Sequence, residues 1–122
     1  MFTQEVQDAT RHLPKKVYLW VDPLPRRGYA NMAADELLTR RPECWLRIYG
    51  WSVPAVSFGY FDTATEASAI FPGAQEYIRR WTGGGIVDHR KGYTYTVTLP
   101  AQEGVMYPTA EHLHIWIPTA LA

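Results

Sequence analysis

Apolar and polar positions alternate most cleanly in residues 93–99, YTYTVTL, a period of two that predicts a strand. Residues 44–51, CWLRIYGW, alternate too, with Trp45, Arg47 and Tyr49 on one face and Leu46 and Ile48 on the other. Shorter apolar runs at 17–21 (VYLWV), 55–61 (AVSFGYF) and 75–81 (QEYIRRW) also read as strands. Residues 31–41, NMAADELLTRR, change period: Ala33/Leu37 and Ala34/Leu38 are four apart and predict one buried helical stripe. Asn31 is the expected N-cap of that helix. Asp35 and Glu36 lie early, Arg40 and Arg41 suit the C-terminal end of its dipole, and Pro42 stops it. Residues 62–71 predict a shorter helix capped by Asp62.

Loops fall at the proline- and glycine-rich stretch 22–29 and at the turn from Gly50 to Pro54. Gly59, inside an apolar run, predicts close approach of a ligand or another backbone. Residues 1–16 are polar and read as a lead-in, with the domain following from 17 to 122. A last helix is expected to start at Thr109, although Pro118 in its interior would cost about 3 kcal/mol or more. The order is β, α, β, β, α, β, turn, β. It predicts an α/β or α+β domain in which helices flank a mixed β-sheet, without a clean βαβ series.

Composition narrows the function classes. A length of 122 residues fits one domain, and 47% hydrophobic residues with five Trp and eight Tyr supply a core. Twelve basic residues balance twelve acidic ones, so no nucleic-acid partner is expected. Cys44 is the only cysteine, which excludes an intrachain disulfide and suits a reducing cytoplasm. No apolar run nears the roughly 18 residues of a membrane span, and no membrane partner is expected. His112 and His114 would share one strand face, but no third ligand lies nearby, so no metal is expected. The basic stretches PRRG (25–28) and TRR (39–41) read as solvated surface or as contacts for an acidic carrier domain.

The chemistry concentrates in RRWTGGGIVDH, residues 79–89. Without side chains at Gly83, Gly84 and Gly85, backbone N–H groups are free to form an anion-binding nest. Arg79 and Arg80 face opposite sides of a strand, so one can reach the nest while the other pairs elsewhere. Thr82 adds a hydroxyl, and His89 is placed to bond a ligand or orient a loop. A plain hairpin, with the arginines paired to Glu76 or Asp88, is the alternative.

RRWTGGGIVDH resembles the RRxxGGGxVxH motif of the lipoate–protein ligase and octanoyltransferase superfamily, which includes biotin–protein ligases. NMAADELL resembles that family's first helix and LRIYGWSVPAVSFGYFD the strand pair after it, so the likeness runs from about Val17 to Leu99. The resemblance implies the biotin/lipoate ligase catalytic fold, akin to class II aminoacyl-tRNA synthetases, incomplete at its C-terminus. It implies attachment of lipoate or octanoate to a lysine of a lipoyl carrier domain, with ATP and Mg²⁺ if the enzyme is a ligase. By position in the motif, Arg80, Gly83, Gly84, Gly85 and His89 are carried over, with Thr82 as a further donor and Arg79 less firmly placed. An apolar acyl slot is expected from among Trp45, Tyr49, Val56, Phe58 and Tyr60.

Two departures stand out. Family members place a transfer lysine in a strand beyond the glycine motif, whereas this chain has only Lys15, Lys16 and Lys91, none far enough downstream. Family cysteine nucleophiles follow the motif, whereas Cys44 precedes it and reads as core. Three readings stay open: the N-terminal part of an enzyme completed by another polypeptide, a non-catalytic remnant that binds an acyl ligand or carrier, and a structural or interaction module.

Overall fold

The computed structural model describes residues 16–99, so the lead-in up to residue 15, the helix expected at Thr109 and the His112/His114 pair lie outside the described residues. Two three-stranded sheets form, each around a strand–helix–strand unit with parallel strands. In the first, β1 (Tyr18–Val21) leads through helix α1 (Gly28–Thr39) to β2 (Trp45–Tyr49), its parallel neighbour. In the second, β3 (Ala55–Phe58) leads through α2 (Ala64–Ile70) to the parallel β4 (Glu76–Arg79). Each sheet gains one antiparallel strand. The two-residue β5 (Val87–Asp88) pairs with β3, and β6 (Thr94–Thr98) pairs with β2. The mixed α/β class matches the expectation. The single mixed sheet does not, because β2 and β3, adjacent in sequence, fall in different sheets.

α1 departs most from its sequence pattern. It starts at Gly28, three residues before the expected cap, and Arg27 in the N-cap position makes no side-chain cap bond. Glu76 of β4 takes that role: its carboxylate accepts the Gly28 N–H at 2.5 Å and pairs with Arg27 at 2.9 Å. Asn31 is a fully buried helix residue instead of a cap, and its amide donates to the carbonyls of Arg26 and Gly50. The buried face is Gly28, Asn31, Asp35 and Leu38, while Leu37 is 62% exposed, so the expected apolar stripe is a largely polar one. Arg40 and Arg41 lie past the helix and pair with Glu36 and Glu43.

A matching polar partner explains that face. Arg47, on β2, is 0% exposed and reaches Asp22 at 2.8 Å, Asp35 at 2.9 Å and the Asn31 side-chain oxygen at 2.8 Å. Its guanidinium lies 3.8 Å from the Tyr49 ring centroid. A buried cation needs such pairing, because an unpaired charge pays its full desolvation cost. Asp35 also accepts from Tyr49 Oη and Thr96 Oγ1, which ties α1 to β2 and β6. Burial and the Asp35 charge push the Tyr49 phenol well above its usual range. Hydrogen bonds from Arg26, opposed by burial and helped by Arg47, lower Asp22 to about 2.

The second sheet has the more regular core. Val56 and Phe58 of β3 pack with Ala67 of α2, and Phe71, Tyr77 and Ile86 close over them. Thr63, not Asp62, caps α2: its hydroxyl accepts the Glu66 N–H at 3.1 Å. Asp62 is engaged at the Gly59 N–H, 3.1 Å away. α1 touches β4 as well as β6, and so bridges the two sheets.

Candidate active site

β3 alternates Ala55 and Ser57 against Val56 and Phe58. The latter pair fills the α2 core, so Ser57 points to the other face. A cavity of about 420 Å³ opens on that side. α1 contributes Met32, Asp35 and Thr39; Tyr49 and Trp51 form another wall; and β6 lines it from Thr94 to Thr98. Arg80, Trp81, Thr82, Val87 and His89 complete the lining from the glycine-turn side.

The turn is built around Arg80. Its backbone N–H donates to Phe58 O at 2.8 Å, fixing it directly after β4. Its Nη1 donates to Ser57 Oγ at 2.5 Å and its Nη2 to the Gly85 carbonyl, so the guanidinium is held beneath the loop. Burial lowers the Arg80 pKa, an effect offset in part by the charge of Asp62. Gly84 has φ +109°, and a Cβ there would lie 3.1 Å from Arg80 Nη2. Added Cβ atoms at Gly83 and Gly85 would meet nothing within 4 Å, so both positions face open space. A Cβ on Gly59 would lie 2.5 Å from the Gly84 carbonyl, which makes Gly59 the position where another backbone approaches.

His89 stands across from Arg80. Its Nε2 is 2.7 Å from Ser57 Oγ and its Nδ1 is 3.1 Å from Thr94 Oγ1. The ring stacks on Trp51 with centroids 4.3 Å apart, and Trp51 Nε1 donates to Thr94 Oγ1 at 2.9 Å. Burial, reinforced by the positive charge of Arg80, lowers His89 to about 4, so it is neutral at physiological pH.

The structure brings Arg80, Thr82, His89 and Tyr49 to one cavity and leaves other candidates elsewhere. Arg79 turns outward and donates to the carbonyls of Tyr60 and Asp62, stapling that loop beside the turn. Trp45 stacks on Tyr18 away from the cavity. Val56 and Phe58 belong to the α2 core, and Tyr60 is exposed against Phe61. Ser57, Trp51, Thr94 and Asp35 are site residues that sequence spacing did not single out. The alternation of Ser57 with Val56 and Phe58 was the one signal for any of them. Among the described residues no cluster of three or more metal-ligating side chains occurs, and no helix is long and apolar enough to cross a membrane. Cys44 is buried, and burial pushes its thiol pKa up.

Comparison with known proteins adds a second line. Over 82 residues the chain is 40% identical to the octanoyltransferase LipM of Symbiobacterium thermophilum, covering 61% of this chain and 30% of that protein. It is 30% identical over 118 residues to the octanoyltransferase LipM of Moorella thermoacetica, covering 90% of this chain and 43% of the relative. The LipM of Macrococcus caseolyticus is 30% identical over 112 residues, 85% of this chain and 41% of the relative. Over most of its length the chain is thus similar to octanoyltransferases of the lipoate–protein ligase and octanoyltransferase family. The chain spans less than half the length of each of these three relatives. No family model matches it, and no solved structure does. In this chain the motif residues Arg80 and His89 meet at Ser57, a residue of the preceding strand β3.

Proposed function

We propose that this chain supplies the acyl-binding part of an octanoyltransferase, which moves an octanoyl group to a lysine of a lipoyl carrier domain. The observation that carries this reading is Arg80, held under the glycine turn by Ser57 and the Gly85 carbonyl at the wall of the cavity. Arginine has more N–H donors than those two bonds use, and the rest can meet a carboxyl or thioester oxygen. Thr82 adds a hydroxyl to the same lining, and Gly83 and Gly85 leave the backbone of the turn uncovered. Met32, Tyr49 and Trp51 give the acyl chain apolar surface. Neutral His89 adds no second positive charge and orients the turn. The finer fold, that of the biotin/lipoate ligase catalytic domain, is part of this reading.

The relatives' names are those of transferases, which gives no support to an ATP- and Mg²⁺-dependent ligase. In a second reading the chain binds the acyl group while another polypeptide supplies the transfer lysine; among the described residues, neither Lys16 nor Lys91 lines the cavity. Leu19 and Val21, 52% and 60% exposed on the outer strand β1, offer that polypeptide an apolar surface. The test is the mass of a purified lipoyl carrier domain after incubation with this chain and an octanoyl thioester. A gain of one octanoyl group, lost in Arg80→Ala, supports the transferase. Octanoate binding without transfer supports the second reading, and neither binding nor transfer rejects both.

A further inference from the structure

We propose that Ser57 is the positioning residue of this site, fixing the Arg80 guanidinium and setting which nitrogen of His89 carries the proton. The inference rests on the reading of Arg80 as the anion-binding group, but its first half stands on hydrogen-bond bookkeeping alone. Ser57 is 0% exposed, and its hydroxyl has two partners among the described residues, Arg80 Nη1 at 2.5 Å and His89 Nε2 at 2.7 Å. A guanidinium only donates, so Ser57 Oγ accepts from Arg80. The single hydroxyl proton of Ser57 then has one available acceptor, a bare Nε2.

The opposite tautomer is disfavoured by burial. With the proton on Nε2, Ser57 Oγ would accept from both neighbours and its own O–H would be buried without an acceptor. With the proton on Nδ1, His89 donates to Thr94 Oγ1 at 3.1 Å, which also accepts from Trp51 Nε1 at 2.9 Å. Thr94 is only half-buried, so water can take its remaining hydroxyl proton. The orphan donor is placed where solvent reaches, and the direction of each bond from Arg80 to Trp51 follows. Ser57 thereby couples the position of the guanidinium to the orientation of the imidazole.

The test is a long-range ¹H–¹⁵N spectrum of the full chain with labelled histidine, in which His89 is assigned by its loss in His89→Gln. The expected parent pattern is a protonated Nδ1 and a bare Nε2. Ser57→Ala is expected to release that preference and show protonated Nε2, whereas Ser57→Thr, which keeps the hydroxyl, restores the parent pattern. A protonated Nε2 in the parent overturns the proposal even if neither variant folds, as does an unchanged pattern in folded Ser57→Ala. Octanoate titration separates the two levels of the argument. If the parent binds, Ser57→Ala should weaken binding about tenfold while Ser57→Thr does not. If the parent does not bind, the functional reading fails, and the tautomer result still decides the role of Ser57.

Discussion

His89 and Asp22 give the site and its scaffold opposite kinds of titrating group with the same response to acid. The folded pKa of His89, about 4, lies below its ordinary value of 6.5, so the unfolded chain takes up the proton first as pH falls. Its contribution to stability is complete above 6.5 and declines down to about 4. Asp22, depressed to about 2 from 3.8, contributes above 3.8 and loses that contribution only between those two values. Thermal unfolding followed by circular dichroism should therefore show a smaller drop in midpoint for His89→Gln than for the parent between about pH 7 and about pH 4.5. Equal drops would mean that His89 is not held neutral. At this scale the glycine motif was legible because Arg80, Gly84 and His89 are close in sequence. Arg79 was the ambiguous member, since strand alternation says that the two arginines diverge but not which one meets the cavity.

Among the elements, α1 shows where local pattern gives way to distant partners. Its hydrophobic periodicity suggested Asn31 as the start, yet the helix begins at Gly28 because Glu76, 48 residues away, accepts that N–H. No local signal encodes that contact. Gly28 is needed for it, since a Cβ there would collide with the Glu76 carboxylate and lie 3.0 Å from Ile78 Cγ2. Gly28→Ala should destabilise the fold by about 1–3 kcal/mol in urea unfolding, against the usual helix preference for alanine. A stabilised variant would show that the Glu76 cap is not the constraint. The second helix was read nearly correctly because its cap is local. The expected cap, Asp62, is adjacent to the actual one, Thr63, and the Gly59 N–H claims the first. Five strands were legible from alternation and β-branched content, whereas the two-residue β5 lay inside the stretch read as a turn. Their division into two sheets was not, because pairing partners such as β2 and β6 are set by tertiary contacts.

On the scale of the whole molecule, α1 is anchored to the first sheet by the Arg47 cluster and also touches β4, and so shapes the cavity between the two sheets. The cluster escaped sequence analysis because Asp22, Asn31, Asp35 and Arg47 are spread over three elements, and a charged residue in a strand reads as solvent-facing. Arg47→Met would leave Asp22 and Asp35 buried without their shared cation, and should cost about 3–5 kcal/mol of unfolding free energy. A loss below about 1 kcal/mol would mean that the carboxylates find water or other partners. The mixed α/β class, the glycine motif and the likeness to octanoyltransferases could be read from the chain; most of the cavity lining could not, because α1, β6 and the glycine turn meet only in three dimensions. Binding of an acyl anion by the Arg80-backed glycine turn is tested most directly by calorimetric titration of octanoate into the parent chain, Arg80→Ala and Gly84→Val, all shown to be folded. Saturable binding to the parent is expected, weakened at least about tenfold in both variants. Binding of equal strength in all three, or none in the folded parent, would contradict it.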